Sequence, residues 1–183
     1  MRSRVLSLVA CAFASCSLAI AAQTLPPASP LAACGDDKTS FDVTRGAIGG
    51  QVDPAPGKAM LYIIELADLN DKGKIGRPLV RQGLDGTWIG ATQGFTYVSA
   101  PIDPGIHHLC SHWQSRLKRW SDQVSLNNFE AVAGKTYYFR LQIGYEAGVD
   151  GGAPAMIDLQ PISEDEGRLL VSEAARSSSK PKS

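Results

Sequence analysis

The chain has 183 residues, enough for one ordinary domain able to bury most of its apolar surface. Its 18 Lys+Arg balance its 18 Asp+Glu, so no bulk field draws it to nucleic acid or anionic lipid. The balance argues against both as principal partners.

Arg2 and Arg4 precede Val5 to Ala22, which is almost entirely apolar or small, and Ala19-Ile20-Ala21 supplies an A-x-A cleavage pattern. Residues 1–22 therefore read as a signal peptide with a new start at Ala22 or Gln23. The segment is too rich in Ala and Ser, and too soon followed by Pro26-Pro27, to favour a membrane anchor. Losing Arg2 and Arg4 leaves 16 basic against 18 acidic residues, a formal charge of −2. The mature chain is expected outside the cytoplasm, periplasmic or extracellular, with no transmembrane span.

Residues 23–33 form a proline-rich linker. Cys11 and Cys16 leave with the signal peptide, and Cys34 and Cys110 remain. An even pair in an oxidising compartment reads as one disulfide. A competing reading takes Leu31-Ala32-Ala33-Cys34, or Leu8-Val9-Ala10-Cys11, as a lipoprotein cleavage site. Pro26, Pro27 and Pro30 separate Cys34 from the apolar run, and the core before Cys11 is too short, which argues against a lipid anchor.

A single domain is expected over 34–175. Phe41 to Arg45 alternates as a short edge strand, and Gly46 to Gly57 is glycine- and proline-rich punctuation. Met60 to Leu66 is a compact apolar run, short enough for a strand buried on both faces. Asp68 to Gly76 is a polar loop. Leu79–Leu84, Thr87–Ile89, Phe95–Ala100 and Ile106–Trp113 read as a meander, with reversals at Asp85-Gly86 and Asp103-Pro104-Gly105. Gln114 to Asp122 is a polar, basic crossover. Phe129–Val132 and Thr136–Ile143 flank Gly134-Lys135 as a hairpin, and Met156–Ile162 is a last strand.

Ser163-Glu164-Asp165-Glu166 fits a capping box before Leu169-Leu170-Val171 and predicts a helix over Glu164–Ala174. Residues 176–183, rich in Ser and Lys, are expected to be disordered. Seven or eight short strands and one short C-terminal helix indicate an all-β, antiparallel β-sandwich of immunoglobulin-like type.

Pro56-Gly57-Lys58-Ala59, Leu84-Asp85-Gly86-Thr87-Trp88-Ile89-Gly90, Ile102-Asp103-Pro104-Gly105-Ile106-His107-His108-Leu109, Ala133-Gly134-Lys135-Thr136-Tyr137-Tyr138-Phe139-Arg140 and Glu166-Gly167 follow one another in order. Together they resemble the bacterial family catalogued as domain of unknown function 2846 and, more loosely, PEGA-type sandwich modules. The resemblance covers about residues 54–170. It implies an exported all-β domain, often a lipoprotein, with no catalytic residues to carry over. The misplaced lipobox departs from that pattern.

Three constellations could carry chemistry. His108, Cys110 and His112 fall at i, i+2 and i+4, on one face of a strand, where they could ligate Zn²⁺ or Cu²⁺. A disulfide at Cys110 removes the thiolate from that set. Asp68-Leu69-Asn70-Asp71-Lys72-Gly73 resembles the start of a calcium loop, but Lys72 and Leu79 stand where oxygen ligands belong. Trp113, Arg116, Lys118, Arg119 and Trp120 interleave aromatic rings with positive charge and form the candidate ligand-binding patch. No nucleophile elbow, zinc-protease signature, P-loop or dinucleotide fingerprint occurs. The three histidines all lie within His107–His112, so a Ser-His-Asp triad would have to use that one strand. The expectation is a non-catalytic, exported binding or scaffold module at the cell envelope, without a cofactor, whose partner is an envelope protein or a glycan. The alternative is a metal-binding protein or metal-dependent enzyme using His108 and His112.

Overall fold

The computed structural model describes residues 30–66, 78–116, 121–145 and 154–182. They form an all-β sandwich with one short helix. A six-stranded sheet has the order β1 (Phe41–Ile48), β10 (Ala175–Pro181), β5 (Thr96–Ile102), β2 (Ala59–Glu65), β8 (Thr136–Tyr145), β9 (Pro154–Ile162). A four-stranded sheet has the order β4 (Thr87–Gln93), β3 (Leu79–Leu84), β6 (Gly105–Trp113), β7 (Val124–Ala131). Neighbours are antiparallel except β2–β8 and a two-residue pairing of β10 with β5.

The apolar run behaves as its composition requires. All seven residues of β2 are buried, and their alternation feeds two cores. Ala59, Leu61 and Ile63 face the other sheet with Val80, Leu109, Trp113, Phe139 and Leu141. Met60, Tyr62 and Ile64 face outward with Tyr97, Tyr138 and Val171, beneath α1 (Glu164–Glu173). Ser163 caps that helix by accepting from the Glu166 N–H at 3.2 Å, as the capping box predicts. Gly167 lets the helix sit directly on the Tyr138 ring, where a Cβ would overlap ring carbons. We expect Gly167→Ala to destabilise the domain by about 1–3 kcal/mol through overpacking. Denaturant titration of the purified variant checks this, and an unchanged midpoint would show that Tyr138 yields freely.

Asp85 and Gly86, with φ of 49° and 83°, build the tight turn between β3 and β4. The meander, however, is not continuous. After β4 the chain turns at Gly94 and β5 joins the other sheet; it returns at Asp103-Pro104 to form β6 beside β3. The same correction applies to Phe129–Ile143: β7 and β8 lie in opposite sheets, joined by an arch rather than a hairpin. Turn chemistry specifies that a chain reverses, not which sheet receives the next strand.

The C-terminal residues also differ from expectation. Residues 175–181 are not disordered but form β10, antiparallel to β1. Low apolar content suggested a solvated tail, but this strand is selected by main-chain pairing and by inward-facing serines. The Ser179 hydroxyl accepts from the Ala91 N–H at 3.1 Å, and the Ser177 hydroxyl donates to the Ala91 carbonyl. The opposite side of the sandwich is closed in the same way. Ser125 accepts from the Leu159 N–H at 3.0 Å, and Asn127 donates to the Leu159 carbonyl at 3.0 Å. Side chains of one sheet thus occupy ladder positions on an edge of the other, which blunts edges that would otherwise invite pairing.

Candidate functional site

Strand alternation decides which residues meet on the outer face of the four-stranded sheet. In β6, Leu109, Ser111 and Trp113 point into the sandwich and are fully or nearly fully buried, so His108, Cys110 and His112 point outward. In β3, Val80 and Gln82 point inward and Arg81 and Gly83 outward, with Arg81 opposite His112 and Gly83 opposite Cys110. Over this face lies a strap, residues 30–40, opened by the 3₁₀ turn Pro30–Ala33.

The strap is tied down at several points. Cys34 is disulfide-bonded to Cys110, with a Cα–Cα separation of 5.1 Å. The Gly86 N–H donates to the Ala33 carbonyl at 3.0 Å, and the Trp88 indole donates to the Asp36 carbonyl at 2.8 Å. Arg81 donates through Nη1 to the Asp37 and Thr39 carbonyls, at 3.0 and 2.9 Å. A Cβ at Gly83 would stand 3.0 Å from the Ala33 carbonyl oxygen, so the missing side chain permits this approach.

Arg81 is the hub. It is only 5% exposed. Its guanidinium carbon lies 4.6 Å from the Trp88 ring centroid, a cation–π contact. Nη2 lies 2.7 Å from His112 Nδ1. Arginine only donates, so Nδ1 must accept, and His112 Nε2 carries the proton it donates to the Ser121 carbonyl at 2.6 Å. The neutral ring fits its surroundings: burial pushes the His112 pKa down, the nearby Arg81 charge adds to this, and the Ser121 carbonyl and Asp37 oppose it. Burial also lowers the Arg81 pKa, opposed by the fields of Asp37 and Asp36. Arg81 Nε is buried without a hydrogen-bond partner among the described residues.

Between the strap and the end of β6 lies a cavity of about 370 Å³, lined by Asp37, Thr39, Ser40, Arg81, His112, Trp113, Gln114, Ser115, Ser121 and Asp122. A second cavity of about 560 Å³ lies between β1–β10 and β4–β5 and reaches Ile89 and Val98. No buried, unpartnered side-chain atom belongs to its lining among the described residues. The first is the better candidate site.

The expected site residues fare unequally. Trp113 is a core residue at 3% exposure and reaches the cavity only as part of its wall. Its strand position points inward, so it meets the cavity from the core side. Arg116 is exposed, while Lys118, Arg119 and Trp120 lie outside the described residues, as does the calcium-like loop from Asp68 to Gly73. His108, Cys110 and His112 do share a face, but the Cys110 sulfur is bonded to Cys34 and both His112 ring nitrogens are engaged. That leaves only the His108 ring of the three for a metal. Among the described residues no three His, Cys, Asp or Glu side chains gather as metal ligands. His107 sits at the hairpin end, with Nδ1 2.6 Å from an Asp85 carboxylate oxygen and Nε2 2.7 Å from the Asp103 carbonyl.

Arg81 was invisible as a site residue from sequence. The signal was a lone cation inside Leu79–Leu84, but its meaning depends on the register that sets it against His112. Comparison with protein-family models, curated proteins and solved structures finds no match for the chain. Among the described residues no helix is long and apolar enough to cross a membrane. The disulfide suggests an oxidising compartment.

Proposed function

We propose that this chain is an exported, non-catalytic module of the cell envelope that binds an envelope component through the outer face of its four-stranded sheet. The observation that carries the reading is the strap. A disulfide, a buried arginine and an indole hold residues 30–40 over that face and leave a polar cavity beside it. Such preorganisation favours binding, since less ordering remains for a ligand to impose. His107 and His112 spend their ring nitrogens on main-chain and side-chain bonds that hold the hairpin and the strap, which fits a structural rather than an acid–base role. The signal-like N-terminus and the resemblance of the turn order to an exported family support the compartment.

The test combines location with binding. In fractionated cells the protein should be found outside the cytoplasm with no thiol reactive before reduction, and the purified protein should bind a component of a glycan array or an envelope extract. Cytosolic protein with free thiols would sink the reading. So would hydrolytic turnover that is lost in His108→Ala.

A further inference from the structure

We infer that the cavity between the strap and the end of β6 takes a neutral polyhydroxy ligand, a single sugar ring or a short glycan end. The inference rests on the binding-module reading above and names its ligand class. A guanidinium has five N–H donors; Arg81 spends three on Asp37, Thr39 and His112. Of the two left, Nε is enclosed by protein, which leaves the second N–H of Nη2 for a ligand in the cavity that Arg81 lines. An oxygen-bearing ligand supplies the acceptor that this donor takes.

Charge decides what kind of oxygen. No carboxylate lies within ion-pair distance of Arg81 among the described residues, so an anion would gain at the buried end of the cavity. The same anion would face Asp37 and Asp122, both exposed carboxylates of the lining. A cation would meet the reverse arrangement. A neutral hydroxyl suits both ends, since it accepts from the guanidinium and donates to a carboxylate. The remaining walls add Thr39, Ser40, Ser115 and Ser121, and hydroxyls recognise hydroxyls in either sense. A volume of about 370 Å³ lies at the small end of the roughly 300–1,000 Å³ range of ligand pockets, which fits one sugar ring and excludes a long segment.

The experiment is chemical-shift mapping of the mature, disulfide-bonded protein. The probes are glucose, galactose and N-acetylglucosamine as neutral rings, glucuronate as an anionic ring and glucosamine as a cationic one. At least one neutral sugar should shift Arg81 Nε and the Ser115 and Ser121 amides with a Kd of about millimolar, and the charged rings should bind several-fold more weakly. Asp122→Asn, at an exposed position, should keep the wild-type spectrum and weaken the sugar about tenfold, the loss of one charge-assisted bond. Arg81→Met should abolish binding. The ligand class is overturned if no neutral ring perturbs the cavity or if glucuronate binds most tightly. In either case, shifts elsewhere on the outer face of the four-stranded sheet with an envelope extract leave the binding-module reading standing, and shifts confined to other surfaces sink it. If the extract moves nothing either, both fall together.

Discussion

Replacing Cys34 and Cys110 together by alanine is expected to lower the unfolding free energy by about 4–5 kcal/mol. The bridge spans 76 positions, and loop-closure entropy for a ring of that size gives this figure in the chain-entropy model. Both sulfurs are buried, and Cys110 belongs with Ala33, Cys34 and the flanking Trp88 and Val124 to a small core of its own. The loss should therefore be larger beneath the strap than elsewhere. Amide exchange should rise first at Gly86 and Cys34, whose N–H groups bond to the Ala33 and Leu31 carbonyls. Urea titration of wild type, reduced wild type and the double variant measures the global effect. A double variant within about 1 kcal/mol of wild type would mean that Arg81 and Trp88 hold the strap unaided, and that the sulfur link is incidental to the site.

Local signals in the chain were legible where one physical cause dominated. The Asp85-Gly86 turn, the fully buried β2 and the Ser163 cap each follow from a single constraint: left-handed backbone, apolar packing and an orphan helix N–H. The Cys34–Cys110 link followed from counting. What stayed hidden depends on register and on pairing across sheets. Nothing in Phe95 to Ala100 says that this strand leaves the sheet of its predecessor. Nothing in Arg176 to Ser179 announces that two hydroxyls bond the main chain of Ala91. Arg81 likewise becomes a site residue only once β3 lies against β6 and the strap lies over both. The aromatic-cationic run that drew attention in the sequence splits instead, with Trp113 buried in the core and Arg116 exposed.

Glu65→Gln is expected to be strongly stabilising near neutral and alkaline pH and close to neutral in effect under acid. Glu65 ends β2 on its inward face and is fully buried. One oxygen accepts from the Gly94 N–H at 2.7 Å, and the other has no partner among the described residues. Across the sandwich it meets a line of neutral groups: Thr92 beside it, Gln82 donating to Thr92 at 3.0 Å, and Ser111 donating to Gln82 at 2.6 Å. No cation forms an ion pair with it among the described residues, so desolvation prevails over the Thr92 and Gly94 bonds and raises its pKa from 4.5 to about 8. The folded state thus binds this proton more tightly than the unfolded chain does. Its contribution to stability is complete below pH 4.5 and is lost as pH rises toward about 8. At about 1.4 kcal/mol per pH unit, the loss across that window is on the order of 3–5 kcal/mol. Glutamine keeps the acceptor for Gly94 and cannot ionise, so its stability curve should lack this decline. The measurement is the difference between wild-type and Glu65→Gln unfolding free energies across that range, which removes the titrations common to both proteins. A difference that grows with pH supports a protonated carboxyl inside the sandwich. Parallel curves would mean that Glu65 is ionised there, with a compensating cation or water supplied from outside the residues named.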